Sequence, residues 1–120
     1  PLEQLLAESD IVSVHAPLNE RTNGLIGEKE LALMKHSAYI VNMGRGGIVI
    51  EDALVKAVDD GVIAGAALDV YSVEPLPADS CFLKAEHPER FRLAPHVAWA
   101  SQEARARLIG IVADNIAKGW

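Results

Sequence analysis

Four short apolar runs, each ending in polar residues, constrain this chain more than any other feature. They read IVSVHA (11–16), AYIVNM (38–43), IAGAALDV (63–70) and FRLAP (91–95). The first three are continuous rather than alternating, the pattern of strands buried on both faces of a parallel sheet. Helical periodicity fills the intervals. GEKELALMK (27–35) directs Leu31 and Met34 toward a core, and EDALVKAVDDG (51–61) sets Ala53, Leu54, Ala57 and Val58 on one face, with Gly61 placed to stop it. The opening residues put Leu2, Leu5 and Leu6 on one helical face. The last segment, SQEARARLIGIVADNIAKG (101–119), starts at a Ser101 N-cap and lines up Ala104, Leu108, Ile111, Val112 and Ile116. Glu103–Arg107 and Asp114–Lys118 stand four apart with the acid first, the favourable order. Strict alternation of strand and helix predicts βαβ units with right-handed crossovers, an open, doubly wound parallel α/β sheet.

The bulk properties exclude more than they select. A chain of 120 residues supplies one domain with a modest core, and half of it is hydrophobic, which gives no signature of disorder. A net charge of −6 is a poor match to a nucleic-acid surface, and no apolar run reaches the ~20 residues that cross a bilayer. One cysteine, Cys81, has no internal partner for a disulfide, which suggests a reducing, cytoplasmic setting; with no basic neighbour it reads as an ordinary loop thiol. Metal-ligand spacing is absent, and neither Ser72 nor Ser101 lies in a nucleophile elbow.

Function then rests on where the polar residues fall. Ligands of open parallel sheets bind beyond the carboxyl ends of the strands. The first run delivers His15, Pro17 and Asn19-Glu20-Arg21-Thr22 to that edge. The second delivers Gly44 and Arg45 in the turn MGRGG, the third Asp69 with Glu74 beyond it, and the fourth His96. Singly, each has a structural explanation. His15 is first of all a hydrogen-bonded strand-end residue, Asp69 caps a turn or bonds nearby amides, Glu74 is a solvated loop acid and His96 a satisfied structural histidine. As a set on one rim they form a chemical kit. An arginine fork binds and polarises a 2-keto acid. A histidine passes a proton in either direction, and a neighbouring carboxylate favours its charged form and fixes its tautomer. The proline-bearing stretch from Ser72 to Arg90, with no clear periodicity, is long enough to read as functional.

The segments SDIVSVHAPLNERTNGLI, LMKHSAYIVNMGRGGIVIEDALVKAV, GVIAGAALDVYSVEP and LAPHVAWAS resemble, in order and spacing, the C-terminal half of the cofactor domain of the D-isomer-specific 2-hydroxyacid dehydrogenases. The likeness spans almost all of residues 1–120. It implies a partial Rossmann-like domain in which Arg45 binds substrate, Glu74 supports and His96 is the acid/base. It also implies that Ala16, Pro17, Thr22, Met43, Gly44, Arg45, Asp69, His96 and Ala98 line an NAD site, with NADP left open, and that Asp69 stands where the family bonds the nicotinamide carboxamide. A homodimer acting on a small 2-hydroxy or 2-keto acid is the implied assembly.

The chain lacks G-x-G-x-x-G, a ribose-reading residue and a substrate domain, and Ile50-Glu51 stands where the family usually has Val-Asp. The expectation is that this stretch alone is inactive and marginally stable. PHVAWASQEAR, with Trp99, looks most like the glycerate dehydrogenase (hydroxypyruvate reductase) branch, although Trp99 is equally a packed rim aromatic. The alternative is an NAD-sensing, dimerising binding protein of the same fold with vestigial catalysis.

Overall fold

In the computed structural model, which describes residues 1–119, four parallel strands form one sheet in the sequential order β1-β2-β3-β4: β1 (Ile11–Val14), β2 (Tyr39–Asn42), β3 (Gly65–Leu68) and β4 (Phe91–Leu93). The register pairs Val14 with Asn42, Asn42 with Leu68, and Leu68 with Leu93. All four carboxyl ends therefore share one edge. Helices α1 (Leu2–Glu8), α2 (Glu28–Leu31) and α3 (Glu51–Asp59) precede the first three pairings, and α4 (Gln102–Ala117) follows the sheet. This is the open parallel α/β sheet that the alternation predicts, Rossmann-like as the resemblance implies, with one of its two faces wound by the described residues.

A sequential parallel order with right-handed crossovers puts the connecting elements on one face. The core shows this: Leu6, Leu31, Leu54, Val58 and Phe82 bury against Val12, Val14, Ile40, Ala66 and Phe91. Burial along β1 alternates, with Ile11 and Ser13 outward and Val12 and Val14 inward. The second face, which the continuous runs equip for burial, carries Ile11, Tyr39, Val41, Ala67 and Arg92 and is left uncovered by the described residues.

The helices follow their sequence signals unevenly. In α3, Leu54, Ala57 and Val58 are buried and Ala53 half-buried, and Gly61 takes the left-handed φ of 70° that ends it. The Leu31 and Met34 assignment also holds, although α2 is a single turn. Of the α1 leucines, Leu6 is buried and Leu5 half exposed. Ser101 caps α4 by accepting from the Ala104 amide at 3.1 Å. The expected apolar seam of α4 is not packed, however: Leu108, Ile111, Val112 and Ile116 are all exposed, because no described element lies against them. Neither Glu103–Arg107 nor Asp114–Lys118 closes an ion pair among the described residues, where the exposed groups gain little from pairing. No described helix is long and apolar enough to cross a membrane.

The loop 72–90 contains two short 3-10 turns, Cys81–Lys84 and Pro88–Arg90. Phe82 anchors it, edge-on to Tyr71 and Phe91 at ring-centre distances of 6.0 and 5.8 Å. Cys81 is half-buried here, and burial, then its bond with Asp52, pushes its thiol up to about 11, which makes it inert.

Candidate active site

The arginine turn is built from the backbone outward. Buried Asn42, the last residue of β2, accepts from the Gly44 amide through Oδ1 at 3.1 Å and donates from Nδ2 to the Arg45 carbonyl at 3.0 Å. The strand end is thereby folded into a fixed turn. Gly44 lies against β1, where an added Cβ would come within 2.9 Å of the Ala16 carbonyl oxygen. Gly46 lies against the backbone of Tyr71 and Ser72, where a Cβ would overlap the Tyr71 carbonyl. These glycines are required by close approach of main chains rather than by flexibility. The result is an exposed Arg45 on a rigid mount between β1 and the loop after β3.

Glu74 and His96 meet on that loop's far side. His96 Nδ1 lies 2.7 Å from Glu74 Oε2, and Glu74 Oε1 accepts from the Tyr71 amide at 2.9 Å. The hydrogen bond with His96, followed by that from Tyr71, holds the Glu74 carboxyl below the usual carboxylate range, and the Arg45 charge adds to this. His96 sits at φ 55°, an uncommon conformation for a residue with a side chain. Two groups fix it. Asp69, buried at the end of β3, accepts from the amides of Val97 and Ala98, both at 2.8 Å, and the Trp99 indole N–H donates to the His96 carbonyl at 2.9 Å.

The structural reading of Asp69 is thus realised, and that of Trp99 only in its place at the rim. Asp69 bonds nearby amides, whereas Trp99 lies at the rim as a residue 58% exposed rather than packed, held by its indole hydrogen bond. His15, at the exit of β1, shares a hydrogen bond with Ser13 Oγ at 2.8 Å.

Two hollows flank this rim. One, of about 530 Å³, is edged by His15, Ala16, Pro17, Met43, Gly44 and Arg45. The other, of about 290 Å³ and almost wholly apolar, lies on the open sheet face between Val41, Met43, Ala67, Asp69 and Ala98. Met43 lines both, so a polar-edged groove continues into an apolar slot. Thr22 lines neither; its hydroxyl donates to the Pro17 carbonyl at 2.6 Å and accepts from the Asn19 amide at 2.9 Å, which shapes the loop that forms the groove's wall. A third cavity, about 480 Å³, brings Glu74 and His96 together with Tyr71, Leu76, Leu93 and Pro95.

His15, Arg45, Asp69 and His96 lie at the strand exits as expected, whereas the side chains that support them carry no such sequence signal. Asn42 was visible as the polar residue near the end of the run AYIVNM, but the reach of its carboxamide to both ends of the turn was not. Tyr71 lies between Asp69 and Glu74 in GVIAGAALDVYSVEP with nothing in the sequence to mark it as a support. Glu51 is a further case: in the first turn of α3, its Oε1 accepts from the Ser72 amide at 2.6 Å, tying that helix to the Glu74 loop.

The model of one protein family, the D-isomer specific 2-hydroxyacid dehydrogenase NAD binding domain, matches residues 1–98. This chain belongs to that family. Its relatives include a glyoxylate reductase of Korarchaeum cryptofilum, 51% identical over 116 residues that cover 97% of this chain and 34% of the relative. A glycerate dehydrogenase of Methylorubrum extorquens is 42% identical over 96% of this chain and 36% of its own length. Among solved structures, the NAD-complexed D-isomer specific 2-hydroxyacid dehydrogenase of Lactobacillus delbrueckii ssp. bulgaricus superposes with a TM-score of 0.82 at 36% identity, covering 98% of this chain and 39% of that one. The chain spans about a third of the length of the curated relatives it matches.

Proposed function

We propose that this chain is the catalytic-rim half of the cofactor domain of an NAD(P)-dependent D-2-hydroxyacid dehydrogenase. The reaction is reduction of a small 2-keto acid, with hydroxypyruvate and glyoxylate as the leading substrates, and its reverse. The observation that carries the reading is the 2.7 Å contact of His96 with Glu74 on the same sheet edge as Arg45.

The residues fit a dinucleotide. The groove along Ala16, Pro17, Gly44 and Arg45 suits a sugar and phosphate, and the apolar slot by Met43 and Ala98 suits a flat heteroaromatic ring. Both Asp69 oxygens already serve Val97 and Ala98, yet each retains a lone pair for a carboxamide N–H. When bound, the dinucleotide supplies or accepts the hydride; NAD is the expected form and NADP the alternative.

The other tasks belong to the protein. The Arg45 guanidinium clamps the substrate carboxylate and polarises the adjacent carbonyl. His96 has Nδ1 committed to Glu74, which leaves Nε2 to give a proton to the carbonyl oxygen as it becomes a hydroxyl. In the oxidative direction Nε2 removes that proton. Glu74, held ionised by its two hydrogen bonds, balances the imidazolium and sets the ring's orientation. A homodimer remains the expectation from the family resemblance, and a cytoplasmic setting the one from the single cysteine. A non-catalytic sensor would have no use for this acid–histidine pair, and no observation favours it.

The test is oxidation of NADH and NADPH by the full-length protein with hydroxypyruvate, glyoxylate, pyruvate and phosphohydroxypyruvate. Saturable turnover with one or more of them is expected. Binding of NADH with no turnover on any would replace the enzyme reading with the sensor.

A further inference from the structure

We infer that Tyr71 is the positioning residue for the histidine–glutamate pair, a role that rests on the proposed dehydrogenase reading. Among the described residues, Tyr71 is the one that hydrogen-bonds both to Glu74 and to the strand exit that leads to His96. Its amide donates to Glu74 Oε1 at 2.9 Å, and its hydroxyl donates to the Ala94 carbonyl at 2.9 Å, two residues before His96. The same hydroxyl lies 3.3 Å from the Leu68 carbonyl, at the end of the neighbouring strand. Ala94 is itself fixed there, its amide donating to Leu68 O at 2.8 Å. The hydroxyl therefore joins the exits of β3 and β4, from which Glu74 and His96 depart.

The rest of the residue is immobilised. Tyr71 is buried, its ring stands edge-on to Phe82, and its carbonyl presses on Gly46, beside Arg45. Burial pushes its phenol above the ordinary range, so the hydroxyl stays protonated and remains a donor throughout the working pH range. A phenylalanine would pack equally well and keep the amide bond to Glu74. The hydroxyl thus contributes one separable thing, the tie to the strand that delivers His96. Loss of that tie loosens the spacing of the pair without removing either member, and a general acid depends on reach at the scale of a single hydrogen bond.

The experiment compares Tyr71→Phe with wild type in the full-length protein by two readouts. Steady-state kinetics should show kcat for hydroxypyruvate or glyoxylate reduced roughly tenfold, the scale of one buried hydrogen bond, with KM for NADH unchanged. Proton NMR should show the downfield His96 Nδ1–H resonance of wild type moved upfield and broadened by solvent exchange. Unchanged kcat together with an unchanged His96 resonance would overturn the role of Tyr71 and leave the dehydrogenase reading intact. Absence of turnover in wild type would remove the dehydrogenase reading, while the resonance still reports whether Tyr71 positions the pair. If the variant folds poorly, the wild-type Tyr71 hydroxyl proton decides. Slow exchange with solvent supports the tie to Ala94, and fast exchange contradicts it.

Discussion

His96 and Glu74, 22 residues apart in the chain, face each other with Nδ1 and Oε2 2.7 Å apart. The pair is about one-third exposed on each side, 37% for the imidazole and 34% for the carboxylate, so it is reachable from solvent and by a small substrate. Its first consequence concerns pH. The Glu74 carboxyl is held below its ordinary value of 4.5 by His96 first and the Tyr71 amide second. A carboxyl depressed in the folded state contributes stability that is fully present above the unfolded value and lost as pH falls through the folded one. Urea unfolding of wild type and Glu74→Gln should therefore differ at pH 7 and converge as the pH falls from 4.5 through the depressed folded-state value. Parallel pH profiles for the two proteins would show that the contact contributes nothing to the folded state.

The glycines supply an ordered series. Gly46→Ala sets a Cβ against the fixed backbone of Tyr71 and should destabilise by about 3 kcal/mol or more. Gly61→Ala meets nothing within 4 Å but must hold φ near 70°, at a cost of about 1 kcal/mol. Gly110→Ala, in open space inside α4, should gain about 1 kcal/mol from helix propensity. Denaturant midpoints check the order, and a neutral Gly46→Ala would refute the close approach of the two loops.

Asn42→Ala removes both bonds that shape the arginine turn and leaves the Gly44 amide and Arg45 carbonyl without them. The expected cost is about 1–3 kcal/mol in unfolding free energy. With the mount loosened, KM for the keto acid should rise by about tenfold while His96 chemistry is retained. Intact stability with unchanged KM would show that Arg45 does not depend on Asn42.

These relationships mark the division between what the sequence made legible and what it did not. Strand ends are readable because an apolar run stops at a polar residue, so His15, Arg45, Asp69 and His96 could be assigned to one edge before any coordinates. The supports are not readable in that way. Asn42, Glu51 and Tyr71 act across 2 to 23 residues of chain, through distances that only the folded loops define. Gly46, one of three glycines in the turn MGRGG, is a contact surface for the Tyr71 backbone, which its place in the sequence does not reveal. The apolar stripe of α4 and the second face of the sheet were legible as surfaces meant for burial, but periodicity says only that a face is apolar. It does not name the partner face, and among the described residues Leu108, Ile111 and Val112 are left exposed.

The most direct test of the central claim is the turnover of His96→Asn in the full-length protein, measured beside wild type with NADH and its best keto acid. Asparagine keeps a hydrogen-bonding side chain next to Glu74 but has no proton to transfer at neutral pH. The account predicts a fall in kcat of about a hundredfold or more, with NADH affinity preserved. A variant that retains near-wild-type kcat would contradict the assignment of His96 as the proton donor, and with it the reading of the Glu74–His96 pair as catalytic.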